Sequence, residues 1–400
     1  MVRFCIFVIL SIASQGFAAP LPLKLEAEAA IVMNADTGAI LYAKNIHKKM
    51  VPASTTKVGV ALYALKRVKE LDEVITVDNE AVVSVTASAK KKSNYSMPAY
   101  WQEPDGTHMG LKTGEKISVR ELFYGLMLVS GNDAGNQIAI HLDKTVPAFM
   151  GNLNTYLKEI GCQDTQFCNP SGIYYPKHQT TAYDLAVMAK EAVKDPLFCQ
   201  IAGTVKHLRP KTNKNEATTF LNSNKLLRQG TLYYDKALWG KTGRLSISGN
   251  NYVGAARQDG RTLIVVLLKT EDRTEMFSDA IKAYKAAFAQ TKVEKTILKE
   301  GLQKFNLTID GFSEPVEAAL TEDLKVAYYP AEEPTIKCLL TWDSIELPIE
   351  KDQQIGKVQV KDSAGVILAE AGVVAHQAVA PTWGYAVRRF LGSFFQSKPK

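Results

Sequence analysis

Cysteine and histidine are scarce in this chain, at five and six residues in 400. No Cys/His cluster has the spacing of a zinc site, which speaks against a metal. Cys5 falls in an apolar N-terminal segment, leaving Cys162, Cys168, Cys199 and Cys338. In an oxidising compartment these four could pair, with Cys162 and Cys168 closing a small loop, or they could stand as scattered buried thiols. The sequence also lacks an apolar run of the roughly 20 residues that a membrane-crossing helix needs. It lacks compositional bias: 46% hydrophobic and 22% charged residues exclude collagen-like, low-complexity and disordered classes. No internal repeat is evident. A basic body is missing as well. The formal charge is +7, but Arg3 sits at the N-terminus, and Arg388, Arg389, Lys398 and Lys400 follow the last acid, Glu370; without those five the remainder is +2. Charge therefore gives no argument for nucleic acid as a partner.

What is present begins at the two ends. Met1-Val2-Arg3, an apolar run over residues 4–12, and small residues before a cut after Ala18 have the pattern of a secretory signal peptide. At the other end, Trp383, Val387, Phe390, Leu391 and Phe394 form one helical stripe within residues 382–395, with Arg388, Arg389 and Ser393 off it. That pattern predicts an amphipathic helix in the lipid interface, at the outer face of the cytoplasmic membrane; the other place for it is against the chain's own domain. The length suits two domains.

Between the ends, residues 29–33 and 40–44 read as a hairpin, and a helix opens near Ser54 and runs to about residue 71. Residues 87–105, lysine-rich and holding Pro98 and Pro104, read as an exposed loop or insertion. Helical patterns cover 119–129, 132–143 and 146–160. Asp259-Gly260 joins two strand runs, 251–257 and 262–269, and a helix follows over 274–289. Strands at both ends of a helical region predict one α/β (α+β) domain over 22–290. Short strands and turns over 291–381 predict a second, all-β domain with no concentration of chemistry-bearing residues.

Ser54-Thr55-Thr56-Lys57 sets a hydroxyl and an amine one helical turn apart at a helix start. A neutral lysine there can take the serine proton, and the helix N-terminus offers free N–H groups to an oxyanion. Ser130-Gly131-Asn132 lies in a break between helices, and Lys241-Thr242-Gly243 precedes the strand-rich region. Each triplet has decoys: Ser88–Lys91, Ser248-Gly249-Asn250 and Lys112-Thr113-Gly114 satisfy the same patterns. Order and context separate the two sets, because the first set follows the sequence Ser-x-x-Lys, Ser-x-Asn, Lys-Thr-Gly at a helix start, a helix break and a sheet edge.

With Asn169-Pro-Ser-Gly172 and Asn222-Ser-Asn-Lys-Leu-Leu227, these motifs make the chain resemble the low-molecular-mass penicillin-binding proteins that act as D-alanyl-D-alanine carboxypeptidases, peptidase family S11. The resemblance implies a mainly antiparallel sheet flanked by helices, a small all-β C-terminal domain and an amphipathic C-terminal helix. It implies Ser54 as acylated nucleophile, Lys57 as general base and Ser130 as proton relay. Asn132, Lys241, Thr242, Gly243 and Arg244 would bind substrate, the N–H groups of Ser54 and Arg244 forming the oxyanion hole. The substrate would be a peptidoglycan stem peptide ending in D-Ala-D-Ala, β-lactams would acylate the same serine, and no cofactor is implied. Many members carry an arginine for the substrate carboxylate where this chain has Ser223; Arg244 either turns inward to replace it or lies solvated at the edge. The absence of Glu or Asp from 168–181 speaks against the deacylating carboxylate of a class A β-lactamase.

Overall fold

The computed structural model describes residues 7–10, 19–309, 314–384 and 387. They divide into a unit over Pro20–Ala289 and a second from Gln290 onward that includes the described N-terminal strand.

In the first unit, Ala29–Asn34 is buried along its whole length and pairs antiparallel with Ile40–Lys44 and with Arg261–Thr270. Asp259 and Gly260, both at positive φ (50° and 75°), turn the chain from Gly249–Gln258 into Arg261–Thr270. Two left-handed residues match the twist of paired strands, and Gly makes the second inexpensive. Ala237–Leu245 completes a five-stranded sheet as one of its edges.

Eight helices accompany this sheet among the described residues: α1 (Thr56–Leu65), α2 (Ala87–Lys92), α3 (Val119–Leu128), α4 (Asn132–Asp143), α5 (Val146–Glu159), α6 (Ala182–Ala192), α7 (Pro196–Gly203) and α8 (Arg273–Phe288). Strand alternation divides the core. Ile264, Val266 and Leu268 join the cluster built on α1 and α3–α7, while α8 packs on the sheet through Met276, Phe277, Ala280 and Tyr284. All ten residues of α1 are buried, as expected of a helix that is mostly apolar around its circumference and sits inside a bundle. It ends at Leu65, earlier than the expected 71: the N–H groups of Arg67 and Val68 both turn back to Ala64 O, and charged residues then leave the core.

Residues 87–105 also differ from expectation. Thr86 caps α2 by accepting from Ala89 N, and Lys90 is 1% exposed. Its ammonium donates to Trp101 O and faces Glu103 Oε1 at 3.4 Å. A lysine-rich stretch reads as solvated because burying an ammonium is costly unless it is paired; here it is paired.

The second unit is all-β. A six-stranded sheet runs, edge to edge, through Phe7–Leu10, Ile336–Trp342, Gln354–Asp362, Ile367–Ala375, Val316–Leu320 and Gly301–Leu307, and Val293–Leu298 pairs separately with Leu324–Tyr328. Leu340, Ile355, Val358, Val360 and Val373 fill its core. Of residues 1–18, where a leader is expected, only Phe7–Leu10 are described, as a strand against Ile336–Trp342. Most of 382–395 lies outside the described residues; Trp383 there is helical and 85% exposed. No described helix is long and apolar enough to cross a membrane, and Cys162, Cys168, Cys199 and Cys338 are free thiols.

Candidate active site

Three segments from distant parts of the first unit meet in a cleft of about 350 Å³. The 3₁₀ turn Ala53–Thr55 leads into α1 and carries Ser54, so Lys57 projects from the first turn of α1 beneath it. Lys57 Nζ lies 2.9 Å from Ser54 Oγ, 2.8 Å from Asn132 Oδ1 and 2.7 Å from Ser171 O. The last two are carbonyl oxygens, which only accept. A neutral amine gives them its two N–H bonds and turns its lone pair to the serine hydroxyl. Burial holds the Lys57 amine well below its ordinary range, the Lys241 ammonium pushes the same way, and Asp133 opposes them.

The second segment joins α3 to α4. Ser130 adopts φ 63°, an uncommon conformation for a non-glycine residue, at the break between those helices. The turn is secured on both sides: Thr107 Oγ1 donates to Ser130 O (2.7 Å), and Asn132 N donates to Thr107 O (2.9 Å). Asp133 accepts from the N–H groups of Met109, Gly110 and Leu111, fixing the chain opposite.

The third is the edge strand Ala237–Leu245. Lys241 Nζ donates to Ser130 Oγ and to Thr242 O, both at 3.0 Å, and is fully buried. Burial and the nearby Arg273 guanidinium bring its amine down to about 7. A Cβ on Gly243 would fall 2.7 Å from Ser54 N and 3.0 Å from Thr55 N and Pro52 O, so only glycine lets the strand approach the serine this closely.

Of the eight sequence-predicted residues, Ser54, Ser130, Asn132, Thr242, Gly243 and Arg244 line the cleft, and Lys57 and Lys241 lie behind it. Of the decoys, only Asn250 lines the cleft. Ser248 closes a turn by accepting from Leu245 N, and Lys112 reaches only Lys214 O. Arg244 is exposed at the cleft edge.

Sequence reasoning missed three contributors. Ser171 supplies a carbonyl to Lys57; Asn169 holds that loop by accepting from Ser171 Oγ and Gly172 N, with Gly172 at φ 84° packed on Ala53 O. The Asn-Pro-Ser-Gly turn chemistry was the available signal. His178 is buried behind Ser54, with Cys168 N donating to its Nδ1 and Nε2 3.0 Å from Thr56 Oγ1; burial and Lys57 push it down to about 3, so it is neutral. Arg273, at the start of α8, lines the cleft and donates to Ser223 O at 3.3 Å. Partial burial, then Arg244 and Arg228, push its guanidinium below its ordinary range. Arg273 thus stands beside Ser223, where the expected arginine is missing.

A hydroxyl beside a desolvated amine, a second hydroxyl beside a second lysine, and a strand edge against the first serine together match the motif set expected of the penicillin-recognising hydrolases. A family model described as D-alanyl-D-alanine carboxypeptidase, peptidase S11, matches residues 15–272, and the chain belongs to that family of hydrolases. It is 27% identical to the D-alanyl-D-alanine carboxypeptidase DacF of Bacillus subtilis, over 89% of this chain and 86% of that one. With DacD of Salmonella typhimurium the identity is 29%, over 86% and 84% of the two chains. Among solved structures, penicillin binding protein 6B from Escherichia coli superposes with a TM-score of 0.62 at 25% identity, covering 90% of this chain and 98% of that one.

Proposed function

We propose that the protein is an exported serine D-Ala-D-Ala carboxypeptidase that removes the terminal D-alanine from peptidoglycan stem pentapeptides. The observation that carries this reading is the bonding of Lys57, whose two carbonyl acceptors leave its lone pair for Ser54.

The substrate carboxylate lies against Thr242, with Lys241, Arg244 and Arg273 supplying positive charge. Its backbone runs along the edge strand, which has unpaired groups to offer. Lys57 takes the Ser54 proton as Oγ attacks the penultimate D-Ala carbonyl, and the N–H groups of Ser54 and Arg244 receive the oxyanion. As the C–N bond breaks, Ser130 passes its proton to the departing D-alanine amine and recovers one from the Lys57 ammonium. Water then attacks the acyl-enzyme, giving a proton to Lys57, and Ser54 is released with its own proton restored. A β-lactam follows the first half of this course but keeps its leaving group tethered. The leader pattern and the 382–395 stripe support export and attachment at the outer surface of the cytoplasmic membrane.

Protein lacking residues 1–18 is expected to release D-alanine from diacetyl-Lys-D-Ala-D-Ala, and Ser54→Ala to release none above background. Equal release by both would remove Ser54 from the mechanism.

A further inference from the structure

Ser54 follows a strained residue. Ala53 adopts φ 49°, a left-handed conformation that favours glycine, and its carbonyl belongs to the same peptide group as the Ser54 N–H. Because that group is planar, whatever holds the Ala53 oxygen also aims the Ser54 N–H. Ala53 O accepts from Thr56 twice, from its backbone N–H and from Oγ1 at 2.9 Å. Behind that hydroxyl stands His178, a buried titratable group with no part in the proton transfers.

We infer that His178 is a positioning residue that acts through Thr56 to hold the Ala53–Ser54 peptide, and with it the Ser54 N–H, in the orientation that receives the oxyanion. The inference rests on the acyl-enzyme reading and deepens it to a residue that does not line the cleft.

The direction of the bonding is fixed. Cys168 N donates to His178 Nδ1 at 3.0 Å, so Nδ1 is bare and the ring hydrogen sits on Nε2. Nε2 therefore donates to Thr56 Oγ1, also at 3.0 Å, and the hydroxyl hydrogen is left for Ala53 O. A one-way chain thus runs from the Cys168 N–H through the imidazole and the hydroxyl to the Ala53 carbonyl, each bond polarising the next. An imidazolium would turn a second N–H onto the Cys168 N–H and break the chain; burial and the neighbouring Lys57 keep the ring neutral.

The ring is locked in place. It is 2% exposed and stacks on Phe167 with centroids 5.2 Å apart and planes at 18°, and the His178 backbone N–H donates to Tyr175 O. The carbonyl one residue earlier is held by other means, since Pro52 O accepts from Asn251 Nδ2 at 2.9 Å and from Thr55 Oγ1 at 2.8 Å. The reach of the imidazole is therefore confined to the one peptide group that carries the Ser54 N–H.

The test measures kcat and KM for diacetyl-Lys-D-Ala-D-Ala, together with the urea midpoint, in protein lacking residues 1–18 and its His178→Leu, His178→Gln and Thr56→Val variants. A misaimed oxyanion donor costs about 10²-fold in rate and leaves ground-state binding alone. His178→Leu and Thr56→Val should each lose kcat by that factor with KM unchanged, and combining them should cost no more than either alone. His178→Gln, whose amide N–H stands in for the ring Nε2–H, should keep most of the rate. Should His178→Leu not fold, Thr56→Val and His178→Gln decide the matter by themselves. Full kcat in Thr56→Val, losses that multiply in the double variant, or a lowered urea midpoint with kcat unchanged would each overturn the inference while leaving the carboxypeptidase intact. Absence of D-alanine release from the unsubstituted protein would overturn both.

Discussion

Lys57 has three neighbours within hydrogen-bonding distance and, as a neutral amine, only two N–H bonds to give them. As an ammonium it donates to all three and cannot accept a proton, so its charge state decides whether Ser54 can be activated. On the proposed mechanism, the protein should be inactive below the lowered Lys57 pKa and gain activity as pH passes through it. Lys241 works the other way in the proposed mechanism, where its charge would serve the substrate carboxylate and burial and Arg273 bring its amine down to about 7. We therefore expect kcat/KM to rise and then fall with pH, the alkaline limb appearing in KM and disappearing in Lys241→Arg. A flat profile between pH 6 and 9, with chemistry rate-limiting, would remove Lys57 as the base. The arginines give a second expectation at this scale. Arg244→Ala and Arg273→Ala should each raise KM for the peptide roughly tenfold with little change in kcat, as loss of one charge-assisted contact to the carboxylate. An unchanged KM in both would leave the role of the absent arginine at Ser223 unfilled.

The edge strand Ala237–Leu245 sets the distance between the lysine–threonine pair and the serine, and Gly243 sets how near it comes. Gly243→Ala must push the strand or the Ser54 turn aside, and a displacement of that order costs about 10²-fold in rate when the reacting geometry is lost. Acylation rate should fall by that factor while the urea midpoint changes little; full activity would mean the strand has slack. Elements of this kind were largely legible in the sequence. The breaks around Ser130 and the Asp259-Gly260 turn are written in local residue chemistry, and α4 spans the expected 132–143. Single long-range contacts were not legible. The Ser171 carbonyl is a backbone atom with no side-chain signature, Arg273 reaches the cleft from the far end of the domain, and Lys90 is buried within a stretch whose composition reads as solvated. Pattern reading assigns faces of elements; it does not foresee which polar atom on one element meets another.

Each of the two units has its own hydrophobic core, and all the candidate site residues belong to the first. The second unit carries the tail, whose exposed Trp383 begins the apolar stripe read from the sequence. Protein lacking residues 1–18 should sediment with vesicles containing anionic lipid, less so at high salt, and a chain ending at Pro381 should not; equal sedimentation of the two would dismiss the tail as an anchor. The most direct measurement of the central claim is the mass of the chain lacking residues 1–18 after incubation with benzylpenicillin, beside Ser54→Ala. The account predicts one added penicillin per wild-type chain, on the peptide containing Ser54, and none on the variant. An adduct that persists in Ser54→Ala, or a wild-type chain that gains no mass, would contradict it.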